Sequence, residues 1–204
     1  MLQYFPPMKT TYLDNNATAP LLPEISDFIK AFVEKQQSNP SSSHSQGQQW
    51  RHEVNMARQD VAALIGVKSS EILFTSSGTE SNNWVLRGVC SEADKKYHIV
   101  TSSVEHPSIE STCRYLSDKG HKISILPVNS EGKIDLNELK ISIGEKPDLV
   151  SIQWVNSETG VIQPVNEIAE LCQVAKVPFH TDAVQALGKI QVNQDSFPGN
   201  YASF

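Results

Sequence analysis

Residues 149–180 read LVSIQWVNSETGVIQPVNEIAELCQVAKVPFH, and the fold is decided there. Leu149 to Trp154 is a short apolar run, and so is Val177 to His180. Between them Val165 to Ala175 is amphipathic and long enough for a helix. A strand, a crossover helix and a second strand form the unit that builds a parallel sheet. Working outward toward the N-terminus, the alternation repeats. Apolar runs Ile72 to Phe74, Ile99 to Thr101 and Lys122 to Leu126 read as strands. Thr79 to Cys90, Pro107 to Lys119 and Leu136 to Ile143 read as the helices between them. The prediction is an α/β fold with a mostly parallel sheet covered on both faces.

Upstream, Leu22, Ile25, Phe28, Ile29, Phe32 and Val33 recur at helical period, which predicts a helix over Leu21 to Gln36 with Pro23 tolerated in its first turn. A polar loop, Ser38 to Ser45, leads to a second periodic stretch through Trp50, Val54, Ala57, Val61, Leu64 and Ile65, stopped by Gly66. No repeat, low-complexity tract or composition break marks a further domain. The expected organisation is an N-terminal arm over 1–20 and one domain over 21–204.

The 204 residues are 39% hydrophobic and 20% charged, enough for one substantial core. A net charge of -6 with scattered lysines and arginines offers no stripe for a phosphate backbone, so nucleic acid is not an expected partner. No apolar run approaches the ~20 residues of a membrane span, and no segment at the N-terminus looks like a signal peptide. A cytoplasmic location is the expectation. Cys90, Cys113 and Cys172 lie far apart, without the paired spacing of a zinc site or a disulfide framework. None has neighbours suited to lowering a thiol pKa, and none is assigned to catalysis.

In open parallel sheets, ligands gather beyond the carboxyl ends of the strands, and the polar clusters of this sequence all follow predicted strands. Thr75-Ser76-Ser77-Gly78-Thr79-Glu80-Ser81-Asn82 opens a helix, where amides and hydroxyls can bind an anionic phosphate. It equally suits a capped helix start, and it is not a Walker sequence. Glu105-His106-Pro107-Ser108 places a histidine at a helix entrance, either a polar loop residue or a plate and acid/base group facing a ligand. Asn156-Ser157-Glu158-Thr159-Gly160 reads as a turn at a strand end or as part of the same site. His180-Thr181-Asp182-Ala183-Val184-Gln185 brings an acid to a strand end. Such an aspartate is often structural; opposite a pyridine nitrogen it would keep that nitrogen protonated.

Taken in order, these clusters resemble the cysteine desulfurases of the class V aminotransferase family. The resemblance also covers Tyr12-Leu13-Asp14-Asn15-Asn16-Ala17-Thr18-Ala19-Pro20 and Asn39-Pro40-Ser41-Ser42-Ser43-His44 with Gly47 and Arg51, nearly the whole chain. It implies a three-layer α/β/α large domain of the fold-type I enzymes, with pyridoxal 5'-phosphate as cofactor. Gly78 and Thr79 would bind the cofactor phosphate, His106 would stack on the pyridine ring, Asp182 would pair with the ring nitrogen and Gln185 would hydrogen-bond the phenolic oxygen. Because that family commonly starts just ahead of the first motif, Met8 is a candidate initiator, with Met1 to Pro7 upstream of it.

Two departures accompany the resemblance. The family usually has two asparagines before Glu-x-Gly, the second reaching the cofactor, and here Ser157 stands in that place; a serine can still donate a hydrogen bond. The family also continues into a Ser-x-His-Lys segment, whose lysine bonds covalently to the cofactor, and to a later cysteine nucleophile and a small domain. Lys189, in Gly-Lys-Ile, matches an ordinary position and is no substitute. The implied reaction converts L-cysteine to L-alanine and leaves sulfur as a persulfide on that later cysteine, with His106 moving protons. The chain is therefore expected to be an inactive N-terminal part of a homodimeric enzyme that serves a sulfur acceptor in iron-sulfur assembly or thiolation. A related class V lyase or aminotransferase such as selenocysteine lyase, and a non-catalytic module complemented by a second chain, are the alternatives. The family pairs the strand at Ile72 to Phe74 with one beyond the lysine, so that strand is expected to lack its neighbour and to lower solubility.

Overall fold

The computed structural model describes residues 11–35, 38–192 and 199–204. Met1 to Pro7, Met8 and Gln36 fall outside these residues. Contacts divide the chain into two compact units, Met1–Arg51 and His52–Phe204. In the first, α1 (Pro23–Glu34) begins with Pro23 after an extended Leu22, where a missing N–H costs nothing. Its Phe32 meets Trp50 edge to face at 5.0 Å between ring centroids. Helix α2 (Ser45–Ile65) carries the boundary between the units, and Gly66 ends it at a φ of 72°, left-handed backbone that glycine adopts without strain.

The second unit holds the sheet. Its strands are β1 (His98–Ser102), β2 (Lys122–Leu126), β3 (Leu149–Ser151), β4 (Phe179–Asp182) and β5 (Tyr201–Ser203). They lie in the order β2-β1-β3-β4-β5, and every pair is parallel. The helices α3 (Gly78–Val89), α4 (Pro107–Asp118), α5 (Leu136–Gly144) and α6 (Val165–Ala175) occupy the crossover segments read from the sequence. Alternation along the central strands sends neighbours to opposite faces. Ile99 of β1 and Leu149 of β3 pack with Leu86, Ile109, Cys113 and Leu116 of α3 and α4. Val100 and Val150 pack on the other face with Leu139, Ile143, Ile168 and Cys172 of α5 and α6. The sheet thus lies between two helical layers, the three-layer α/β/α arrangement expected.

Two strand readings are corrected. Ile72 to Phe74 forms no strand: a strand exists only as a hydrogen-bonded pair, and no ladder among the described residues includes it. Instead the Ile72 carbonyl accepts from Arg58, whose guanidinium lies 4.9 Å from the Phe74 ring centroid. Leu73 and Phe74 are exposed. The second correction is β5: Tyr201–Ser203 carries no apolar run that marks a strand, and it is one. It is fixed through residues beside it: Asn200 accepts from the Phe179 amide through Oδ1 at 2.9 Å and returns its own amide to the Phe179 carbonyl at 2.8 Å.

The chain order creates the feature that matters for function. From β1 the connection runs outward to β2, and the next crosses back to β3 on the other side of β1. Loops leaving β1 and β3 therefore part in opposite directions, opening the crevice where α/β sheets take ligands.

Candidate active site

Four of the polar clusters converge at this end of the sheet. After β1 the chain enters α4 with His106 as its N-cap and Pro107 as its first helical residue. The His106 ring turns back on its own helix: Nδ1 accepts from the Ser108 amide at 3.1 Å and lies 2.8 Å from the Ser108 hydroxyl. The imidazole as a whole remains exposed.

After β4, Asp182 is 7% exposed, and its carboxylate is held by two donors. The Val184 amide reaches Oδ1 at 3.1 Å and the Asn82 side-chain amide reaches Oδ2 at 2.7 Å. Asn82 lies on α3, 100 residues away, and the same nitrogen also donates to the Ser108 hydroxyl at 2.9 Å. One hydrogen-bonded chain thus runs Asp182, Asn82, Ser108, His106, joining three elements. Asn82 stands in the Thr75–Asn82 motif with no signal of this role; only the folded arrangement reveals it.

The start of α3 supplies an anion-binding geometry. Ser77 caps the helix by accepting from the Glu80 amide at 3.2 Å, while the amides of Gly78 and Thr79 lead the helix, where no intrahelical acceptor exists. Thr79 is exposed. The Ser76 amide and hydroxyl each reach a Glu80 carboxylate oxygen at 2.6 Å, and these bonds draw the Glu80 pKa below its ordinary value. This turn already holds one anionic group. At Gly78 a Cβ would lie 2.5 Å from Cγ2 of Val184. The glycine therefore lets the helix start approach the turn after Asp182 closely.

The crevice between β1 and β3 is closed at its floor by Glu105, which the sequence did not single out for a role. Its carboxylate accepts from the Ser102 hydroxyl at 2.5 Å and from the Gln153 amide at 3.1 Å. Burial pushes its pKa up to about 8. The Val104 carbonyl accepts from the Asn156 amide at 3.0 Å, so the two loops are locked at two points. Asn156 also organises its own turn, its Oδ1 accepting from Glu158 and Thr159 amides at 2.9 and 2.8 Å. Ser157 follows it, half-buried beside this tie. Gln185 lies on the turn after Asp182 and accepts from Lys189.

His180, one strand position from the acid's neighbour Thr181, belongs to the frame. It is fully buried between the Ser151 hydroxyl at 2.9 Å and the Ser203 hydroxyl at 3.1 Å, and burial lowers its pKa to about 3. It stays neutral and ties three strands. The cysteines behave alike. Burial pushes the thiols of Cys113 and Cys172 up to about 12 and that of Cys90 up to about 11, values that leave no thiolate near neutral pH.

A phosphorylated pyridine fits this donor set: a helix start with a close-approach glycine, a buried carboxylate at a strand end, and an exposed imidazole tied to that carboxylate. Residues 11–198 match the family described as aminotransferase class-V. A cysteine desulfurase IscS of Methanosarcina thermophila is 39% identical over 186 residues, covering 91% of this chain and 46% of that protein. The mitochondrial cysteine desulfurase of Drosophila melanogaster is 43% identical, with 89% and 40% covered. Among solved structures, a NifS-like protein superposes with a TM-score of 0.88 at 38% identity, over 93% of this chain and 53% of that one. A structure described as SspA in complex with cysteine gives 0.85 at 30% identity, with 92% and 55% covered. The chain spans about half the length, or less, of these relatives. From the family match along almost all of its length, the chain belongs to the aminotransferase class-V family.

Proposed function

We propose that the chain forms the cofactor-binding large-domain part of a cysteine desulfurase that takes pyridoxal 5'-phosphate. The observation that carries this reading is the hydrogen-bonded chain from Asp182 through Asn82 and Ser108 to His106 at the carboxyl end of a parallel sheet. The similarity to cysteine desulfurases and to a cysteine-bound structure supports the choice of reaction and of L-cysteine as substrate.

When bound, the cofactor withdraws electrons from the substrate's Cα and so permits bond cleavage at the neighbouring carbon. The residues of this chain do the rest of the positioning. Gly78 and Thr79, at the head of α3, bind the phosphate with their amides and the positive end of the helix. Asp182 holds a proton at the pyridine nitrogen; buried with both oxygens occupied, it is fixed in place. His106 stacks on the ring and holds or releases a proton at Nε2, the nitrogen its own helix leaves open. Gln185 donates to the phenolic oxygen, and Ser157 supplies the hydrogen bond from the β3 side. The sulfur leaves L-cysteine for a thiol elsewhere in the protein, giving L-alanine and a persulfide: the C–S bond and the acceptor thiol's S–H bond break, and an S–S bond and a C–H bond at the alanine methyl form, with no change in net oxidation state. The raised thiols of Cys90, Cys113 and Cys172 are unsuited to that attack.

The same reading carries a homodimer, a protein sulfur acceptor and a cytoplasmic setting; among the described residues no helix is long and apolar enough to cross a membrane. The test is the native protein isolated from its source and given L-cysteine with a thiol reductant. Alanine and sulfide in equal amounts are expected, and sulfide without alanine, or neither from protein loaded with pyridoxal 5'-phosphate, contradicts the reading.

A further inference from the structure

We infer that Asn82 and Ser108 are positioning residues that couple Asp182 to His106 and fix which imidazole nitrogen carries the proton. Hydrogen-bond direction leaves one arrangement along this chain. A carboxylate only accepts, so the contact at Asp182 Oδ2 orients the Asn82 side chain with its nitrogen toward the acid. The second hydrogen of that nitrogen goes to the Ser108 oxygen, which makes Ser108 an acceptor on that side. Its own hydrogen then points to His106 Nδ1, 2.8 Å away. The Ser108 amide points to the same nitrogen at 3.1 Å. Two donors meet at Nδ1, which therefore carries no proton, and the proton of the neutral ring sits on Nε2.

Burial makes the path rigid. Asn82 is 1% exposed and Ser108 7%, so water does not compete for their bonds. The Asn82 oxygen is buried with no partner among the described residues; the amide is held entirely by its donors. The positions of both site residues are therefore linked: a shift of the Asp182 carboxylate turns the Asn82 amide, which redirects the Ser108 hydroxyl and the imidazole.

The inference rests on the proposed function for its role in catalysis, but its test needs no cofactor. The chain is labelled with 15N-histidine, and the signal of His106 among the six histidines is assigned by its loss in His106→Gln. The expected spectrum has a bare Nδ1 and a protonated Nε2. Asp182→Ala is expected to displace the Nδ1 resonance, and to displace it less than half as far when Asn82→Leu is also present. Ser108→Ala, which removes one hydroxyl, is a second uncoupling variant, and Ser108→Thr is expected to restore the response. A proton on Nδ1, or a displacement that survives both uncoupling variants at half its size or more, overturns the inference. Dialysis against pyridoxamine 5'-phosphate separates this outcome from failure of the cofactor reading. Binding without the coupling removes the inference alone, and coupling without binding removes the cofactor reading alone.

Discussion

Gly78 shows how a single missing atom shapes the site. A Cβ there would overlap the Val184 side chain at 2.5 Å, and Val184 follows Asp182 closely enough that its amide holds the acid. Gly78→Ala is expected to destabilise the fold by about 1–3 kcal/mol, with Val184→Ala restoring most of the loss; denaturant midpoints of the two single variants and the double variant measure this, and an additive result contradicts it. His180 and Glu105 give the pH dependence. The His180 pKa falls from its ordinary 6.5 to about 3 in the fold, so its contribution is complete above 6.5 and is lost as pH falls toward 3. Glu105 rises from 4.5 to about 8, so its contribution is complete below 4.5 and is lost as pH climbs through 8. Each group has a slope of about 1.4 kcal/mol per pH unit. The two oppose each other between pH 4.5 and 6.5, and from there toward 8 the loss of the Glu105 contribution stands alone. Urea unfolding should show this alkaline decline between pH 6.5 and 8, and Glu105→Gln should remove it.

At the scale of elements, the helices were legible because their apolar period and start signals are local. Pro107 at the head of α4 and the run Val165–Ala175 were both readable in the sequence. Strands were less legible, since pairing is a property of two segments. The apolar run at Ile72 to Phe74 looks like a strand and has no ladder partner among the described residues, whereas Tyr201–Ser203 looks unremarkable and pairs with β4. The same limit applies to the site. Gly78, His106 and Asp182 stand in motifs a reader can mark, but Asn82 gains its role from contacts with residues 26 and 100 positions away, and Glu105 from Gln153, in the loop after β3, 48 positions on. Element docking also predicts a sensitive glycine. Gly199 has a φ of 107°, and a Cβ there would meet Phe179 Cδ1 at 2.9 Å. Gly199→Ala should loosen β5 by about 1–3 kcal/mol, seen as faster amide exchange at Asn200, whose N–H bonds to the Phe179 carbonyl; unchanged exchange contradicts this docking.

For the whole chain, the two cores on either side of the sheet form a frame whose carboxyl end gathers the loops, and the outward-then-back strand order places the crevice between β1 and β3. Everything assigned to the cofactor depends on that end of the sheet. The most direct measurement is equilibrium dialysis of the chain against pyridoxamine 5'-phosphate, which binds without any covalent bond to lysine. Saturable binding is predicted, weakened at least about tenfold, ~1.4 kcal/mol, by Asp182→Ala and unaffected by Cys90→Ser. Absence of binding by a folded chain, or binding indifferent to Asp182→Ala, would contradict the assignment of this end of the sheet to the cofactor.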